Sequence, residues 1–116
     1  MKQQSDKFVY ADPALVEEVQ DGLKRQIISY GPDLMAVKVW FEAGAEGYQH
    51  EHPHMQVSYV ESGEFETTVD GETQTLRAGD SFYVAPHQVH GAVCKKAGVL
   101  IDMFSPLRED FLTGDS

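Results

Sequence analysis

Residues 34–42, Leu-Met-Ala-Val-Lys-Val-Trp-Phe-Glu, alternate with a period of two: Met35, Val37, Val39 and Phe41 fall on one side, Ala36, Lys38, Trp40 and Glu42 on the other. Successive side chains of an extended strand point to opposite faces, so this stretch reads as a strand with one face in a core. Breaks follow at short intervals around it, at Gly31-Pro32-Asp33, Gly44 to Gly47, Pro53, Ser62-Gly63, Asp70-Gly71, Ala78-Gly79-Asp80 and Gly91. The sharpest is Asp70-Gly71, set between Glu-Phe-Glu-Thr-Thr-Val (64–69) and Glu-Thr-Gln-Thr-Leu (72–76), the strongest two-residue hairpin signal in the chain. Many short strands separated by turns predict an all-β sandwich or barrel rather than alternating β and α units.

Two ends complete the outline. A short N-terminal helix is predicted over 12–21, where Asp12-Pro13 opens the segment, Leu15 and Val19 lie four apart and Gly22 closes it. The last strand is expected over 98–104, stopped by Pro106, with a turn of helix in Arg-Glu-Asp-Phe-Leu (108–112). In that strand Asp102 and Phe104 share a face with Leu100, while Ile101 and Met103 point the other way. Parity alone leaves open which face is inside.

With 116 residues, 41% of them hydrophobic and 24% charged, the chain is expected to form a single globular domain, residues 1–116. Its net charge of −10, from 19 acidic against 9 basic side chains, repels a phosphate backbone and argues against nucleic acid as a partner. An anionic small molecule would be repelled at long range too, so holding one requires a local cation or metal. Cys94 has no second cysteine to pair with, and the N-terminus lacks a signal-like apolar run, which makes the cytoplasm the expected compartment. No apolar stretch reaches the length of a membrane span.

All five histidines lie between positions 50 and 90, in His-Glu-His-Pro-His-Met-Gln (50–56) and Pro-His-Gln-Val-His (86–90). In an extended strand His50 and His52 project from one face about 6.5–7 Å apart, so both imidazoles can reach one ion. Pro53 permits a turn that returns Gln56 as a third ligand, and His90 completes the set from a distant strand. Any one histidine alone would be read as a surface or hydrogen-bonding residue. Together they predict one divalent transition metal, with nickel, zinc, iron and manganese all compatible with imidazole and amide oxygen. Gln56 has a second reading, as an amide behind a three-histidine site. His54 is placed near the mouth and His87 in a solvent-facing loop, neither as a ligand, and Cys94 is assigned no chemistry.

These segments resemble the two cupin motifs. The first, about 44–63, carries His50-x-His52, Gln56 and Gly63; the second, about 79–94, carries Gly79-Asp80-Ser81-Phe82-Tyr83-Val84-Ala85-Pro86 and His90. Gln56 stands where a glutamate is usual and Ala85 where a proline is usual. The resemblance implies a double-stranded antiparallel β-barrel, the cupin or jelly-roll fold. A closer likeness runs through LKRQIISYG (23–31), LMAVKVWFEAGAE (34–46), HPHMQVSYVESGEFE (52–66), GDSFYVAP (79–86), VHG (89–91) and DMFSPLREDFL (102–112), which is similar to the pectin-degradation cupins of the KdgF type. That likeness implies a sugar-acid substrate, a 4,5-unsaturated monouronate from pectin or alginate breakdown, opened and ketonised to the linear 5-keto-4-deoxyuronate. It also implies a catalytic Asp102, an Arg108 that serves both catalysis and substrate carboxylate binding, and Phe104 as an apolar wall against the sugar, unless Phe104 is simply core.

Two other readings stand beside the metal-dependent ketonising enzyme. One is another small metal cupin enzyme, a dioxygenase or sugar isomerase, because a fold does not fix a reaction. The other is a non-catalytic ligand-binding cupin, favoured if Asp102 and Arg108 point away from the metal. A homodimer is expected, with Trp40 and Lys38 on the strand face opposite the apolar one as its interface.

Overall fold

The alternation at 34–42 is realised as a strand whose inward residues are buried in strict sequence: in Leu34–Phe41, Met35, Val37, Val39 and Phe41 are core and their neighbours are not. The computed structural model describes residues 3–113. Its strands are β1 (Glu17–Gln20), β2 (Leu23–Gly31), β3 (Leu34–Phe41), β4 (Glu46–His50), β5 (Met55–Val69), β6 (Glu72–Arg77), β7 (Ser81–Val84) and β8 (His90–Ser105), followed by the short helix α1 (Glu109–Thr113). All pairings are antiparallel, in the order β1-β2-β3-β8-β5-β6, with β4 added to β8 and β7 to β5. This is the expected all-β cupin barrel.

Two long strands organise it. β5 and β8, of 15 and 16 residues, pair from Met55↔Ser105 to Val69↔His90, with register shifts between Val60 and Phe65. On one side of those shifts β8 carries β3 and β5 carries β7; on the other β8 carries β4 and β5 carries β6. Glycine is required where the strands press together. A Cβ on Gly63, at φ +86°, would meet the Lys96 carbonyl oxygen at 2.6 Å, and one on Gly98 would collide with the Ser62 carbonyl. The last strand begins eight residues before the expected Gly98, because residues 90–94 and Lys96 already pair with β4 or β5.

The hairpin signal is met: Asp70 and Gly71 have φ 51° and 82°, joining β5 to β6 through Val69↔Glu72. The N-terminal helix is present only as one 3-10 turn, Pro13–Leu15, capped by the Asp12 carboxylate accepting from the Ala14 N–H at 2.9 Å. Beyond it the expected helix gives way to strand, since Glu17 and Glu18 pair with Arg25 and Lys24. Sheet pairing overrides a weak helical pattern.

The core joins β3, β5 and β8, with Phe41 and Phe65 edge to face at 5.1 Å and Cys94 buried among them. Lys38 lies over the Trp40 ring at 5.2 Å and pairs with Glu61, so Trp40 is half-covered by its own strand. No helix among the described residues is long and apolar enough to cross a membrane.

Candidate metal centre and cavity

Leu100, Asp102 and Phe104 face inward, which settles the parity left open by the sequence: Leu100 and Phe104 are buried, and Asp102 opens on a cavity of about 410 Å³ inside the barrel. His50, Gln56, His90, Phe104 and Arg108 line the same cavity, against an apolar wall that includes Val37 and Leu100. Such a mixture, mostly apolar with a few convergent polar groups, is what a small-molecule site requires.

His50 ends β4 and pairs directly with His90, which opens β8. Their ring centroids are 4.4 Å apart, and His52 lies 4.7 Å from His90 and 5.5 Å from His50. The ligand atoms of the three lie within 4.8 Å of one another, close enough to share one ion. The expectation that His50 and His52 share one strand needs correction: β4 stops at His50, and His52 sits in the connection to β5. Pro53 cannot donate to a ladder, so the chain leaves the sheet here, and the His52 carbonyl instead accepts from the His87 N–H at 2.8 Å.

The three rings share one hydrogen-bonding pattern. Nδ1 of His50 donates to the Tyr48 carbonyl at 2.8 Å, Nδ1 of His52 to the His54 carbonyl at 3.1 Å, and Nδ1 of His90 to the Gln88 carbonyl at 2.9 Å. Each bond fixes the proton on Nδ1 and leaves the Nε2 lone pair to face the cluster. Burial above all lowers the pKa of His52, and burial pushes that of His90 down to about 4, so both rings are neutral near pH 7.

That neutrality creates a deficit which a cation would meet. His90 Nε2 is buried with no hydrogen-bond partner among the described residues. His52 Nε2 lies 3.0 Å from Gln56 Oε1, yet the one proton of the neutral ring is already used on Nδ1, leaving two lone-pair atoms face to face. A divalent ion bound by His50, His52 and His90, with Gln56 Oε1 as the fourth donor, satisfies all of them, so the residues present fit the group.

Behind Gln56 runs a polar chain into the barrel. Its Nε2 donates to Ser58 Oγ at 2.8 Å, and Ser58 Oγ donates to Asp102 Oδ1 at 2.6 Å. Burial raises the Asp102 carboxyl to about 6, against the pull of the Ser58 hydroxyl and of Arg108.

Arg108 follows Pro106 and folds back over Phe104, 5.0 Å from its ring, and over Phe111 of α1, 4.3 Å away. Its Nε and Nη2 donate to the two carboxylate oxygens of Asp110 at 3.1 and 2.8 Å. Its side chain is only 13% exposed. Arg25 of β2 also lies over the Phe111 ring, 3.9 Å from its centre, and pairs with Glu17 at 2.7 Å. Arg25 and Phe111 also line the cavity, although nothing in the sequence reading selects them. The one signal for Arg25 is its parity with Leu23, a charge on an otherwise apolar face.

The remaining candidates fall as expected or outside the site. His54 packs edge-on to His52 and near Phe104 without lining the cavity. His87 is exposed, at φ 66°, beside Glu51. Cys94 donates to the Lys96 carbonyl at 3.0 Å, and burial pushes its thiol pKa up.

Fold and motif agree with the family comparison: the cupin domain model matches residues 37–104, and the chain belongs to the cupin family. Within that family it is 47% identical over 108 residues to the pectin degradation protein KdgF of Dickeya dadantii (strain 3937), covering 91% of this chain and 98% of that one. Among solved structures, an RmlC-like cupin from Shewanella frigidimarina NCIMB 400 superposes with a TM-score of 0.91 at 55% identity, covering 95% of this chain and 99% of its own. KdgF from Halomonas sp. superposes with a TM-score of 0.85 at 39% identity, covering 92% and 99%.

Proposed function

We propose that this cupin is a metal-dependent enzyme of pectin or alginate breakdown that opens 4,5-unsaturated monouronates to the linear 5-keto-4-deoxyuronate in the cytoplasm. One observation carries the reading: Asp102, Phe104 and Arg108 line the same cavity as His50, Gln56 and His90. Had the acid and the arginine pointed elsewhere, a binding protein would be the better reading. The substrate class is supported by the relative named as a pectin degradation protein, which matches along nearly the whole chain.

The substrate is a cyclic enol ether bearing a carboxylate. Ketonisation needs a proton at C4 and water, or its equivalent, at C5; collapse of the C5 adduct then breaks the bond to the ring oxygen, and C1 releases water as the aldehyde. A divalent metal would be held by His50, His52, Gln56 and His90 and would supply Lewis acidity. Asp102, with its carboxyl raised to about 6, exchanges the C4 proton near neutral pH. Phe104 offers an apolar face to the ring. Arg108 supplies the positive charge that a protein of net charge −10 needs to hold a carboxylate, and its own fork is kept in place by Asp110. Gln56 in place of a carboxylate leaves a divalent ion its full formal charge, which suits an anionic substrate.

The test is direct. The metal-loaded protein is incubated with lyase-generated unsaturated galacturonate, and the ring alkene absorbance is followed against a control without protein. Accelerated loss is expected. Loss at the control rate would turn the assignment towards a ligand-binding cupin or another isomerase.

A further inference from the structure

Gln56, Ser58 and Val60 alternate inward along β5, and Ser58, with no exposed surface, sits directly across from Asp102 of β8. The hydroxyl of Ser58 has one proton to give. Ionised Asp102 can only accept, so at 2.6 Å that proton is committed to Oδ1. The hydroxyl lone pair must then take a donor, and it takes the Nε2–H of Gln56 at 2.8 Å. With its nitrogen end fixed, the amide can turn only its oxygen toward the histidines, where Oε1 lies 3.0 Å from His52 Nε2. Each orientation follows from the one before it.

We propose that Ser58 is a positioning residue that sets the donor oxygen of Gln56 toward the metal and ties that orientation to Asp102. The inference rests on the metal reading above and goes beyond it, because neither Ser58 nor Asp102 is a ligand. It also accounts for the amide at position 56. A glutamate there has no N–H for Ser58, and two carboxylates would compete for a single hydroxyl proton.

The experiment is calorimetric titration of the metal-free protein with Zn²⁺ at fixed pH, which does not depend on any substrate. Ser58→Ala is expected to weaken Zn²⁺ binding by about 10–100-fold, the usual effect of losing a group that orients a ligand. Ser58→Thr, which keeps the hydroxyl, should bind within about threefold of the unaltered protein if the effect is orientation. Asp102→Leu should weaken binding clearly more than Asp102→Asn, because both remove the same charge and only Asn keeps an acceptor for Ser58. Equal Zn²⁺ affinity in Ser58→Ala and the unaltered protein overturns the proposal, as does equal affinity in Asp102→Leu and Asp102→Asn. Should Ser58→Ala fail to fold by circular dichroism, the Asp102 pair decides alone. An unaltered protein that binds no Zn²⁺ overturns the metal reading and this inference together, whereas one that binds Zn²⁺ but leaves the uronate untouched sinks only the enzymatic reading.

Discussion

His50 and His90 stand directly opposite one another across β4 and β8, ring centroids 4.4 Å apart, each with Nδ1 tied to the carbonyl two residues earlier. A strand pair thus presents two Nε2 lone pairs to one point before any ion arrives. Replacing either His50 or His52 by Ala should remove metal and activity together, because a remaining set of two imidazoles and an amide is a weak site. Thermal stability of the metal-free protein should change less, since the β3, β5 and β8 core holds the barrel. Elemental analysis decides the point: full metal content in His52→Ala would refute the ligand assignment.

Asp102 gives a prediction of opposite signs for activity and stability. Asp102→Asn should lower turnover by about 10²–10⁴, the range for loss of a general acid or base, with metal retained. Its carboxyl is raised from 3.8 to about 6 by burial, so the folded state binds the proton more tightly than the unfolded chain. Stability contributed by this group is therefore present at low pH and lost as pH rises through about 6. At pH 7 the metal-free Asp102→Asn protein should be more stable than its parent by about 1–3 kcal/mol, with the gain vanishing below about pH 4. Denaturant midpoints at the two pH values measure it, and a pH-independent difference would contradict the raised carboxyl.

Much of this is legible in the sequence, for identifiable reasons. Strand β3 alternates cleanly because one face meets the core and the other does not, and Asp70-Gly71 is one of the few residue pairs that readily take positive φ at both central positions of a two-residue turn. The histidines stand out because five of them crowd into 41 positions, 50–90. What escapes a sequence reading is what depends on pairing across the chain. The full length of β8 is hidden by Lys95, Lys96 and Gly98, where the strand is exposed and crowded against Ser62 and Gly63. Residues 17–20 read as helix until β2 is beside them. Ser58 looks like any serine until Asp102, 44 residues away, lies opposite it. Arg25 acquires meaning only when Phe111 folds over it.

Two guanidinium groups contact the Phe111 ring, Arg25 at 3.9 Å and Arg108 at 4.3 Å from its centre. These contacts tie the C-terminal segment to β2 beside the cavity that Arg108 lines, and they are expected to help position Arg108. Phe111→Leu, which keeps the bulk and removes the aromatic face, should raise KM for the unsaturated uronate several-fold, with kcat nearly unchanged; each cation–π interaction removed is worth about 0.5–1 kcal/mol. Phe111→Tyr should behave as the parent does. A fall in kcat at constant KM would instead mean that the segment serves the chemistry.

Arg108→Ala should act on affinity for the anionic substrate, costing about 1.5–3 kcal/mol for the charge-assisted hydrogen bonds it removes. Arg108 is already engaged by Asp110, so part of that cost comes from the Asp110 carboxylate that stays beside the site once the guanidinium is gone. The double variant Arg108→Ala with Asp110→Asn should therefore recover some of the affinity forfeited by Arg108→Ala alone, because the like-charge repulsion has been removed. Asp110→Asn by itself turns the guanidinium over to the substrate but loosens its fork, and should shift KM less than Arg108→Ala does. The control is a sugar alcohol without the carboxylate, whose binding to the metal-loaded protein should not respond to Arg108→Ala. Equal loss of affinity for the neutral and the anionic sugar would show that Arg108 shapes the cavity wall through Phe104 and Phe111 rather than meeting the carboxylate.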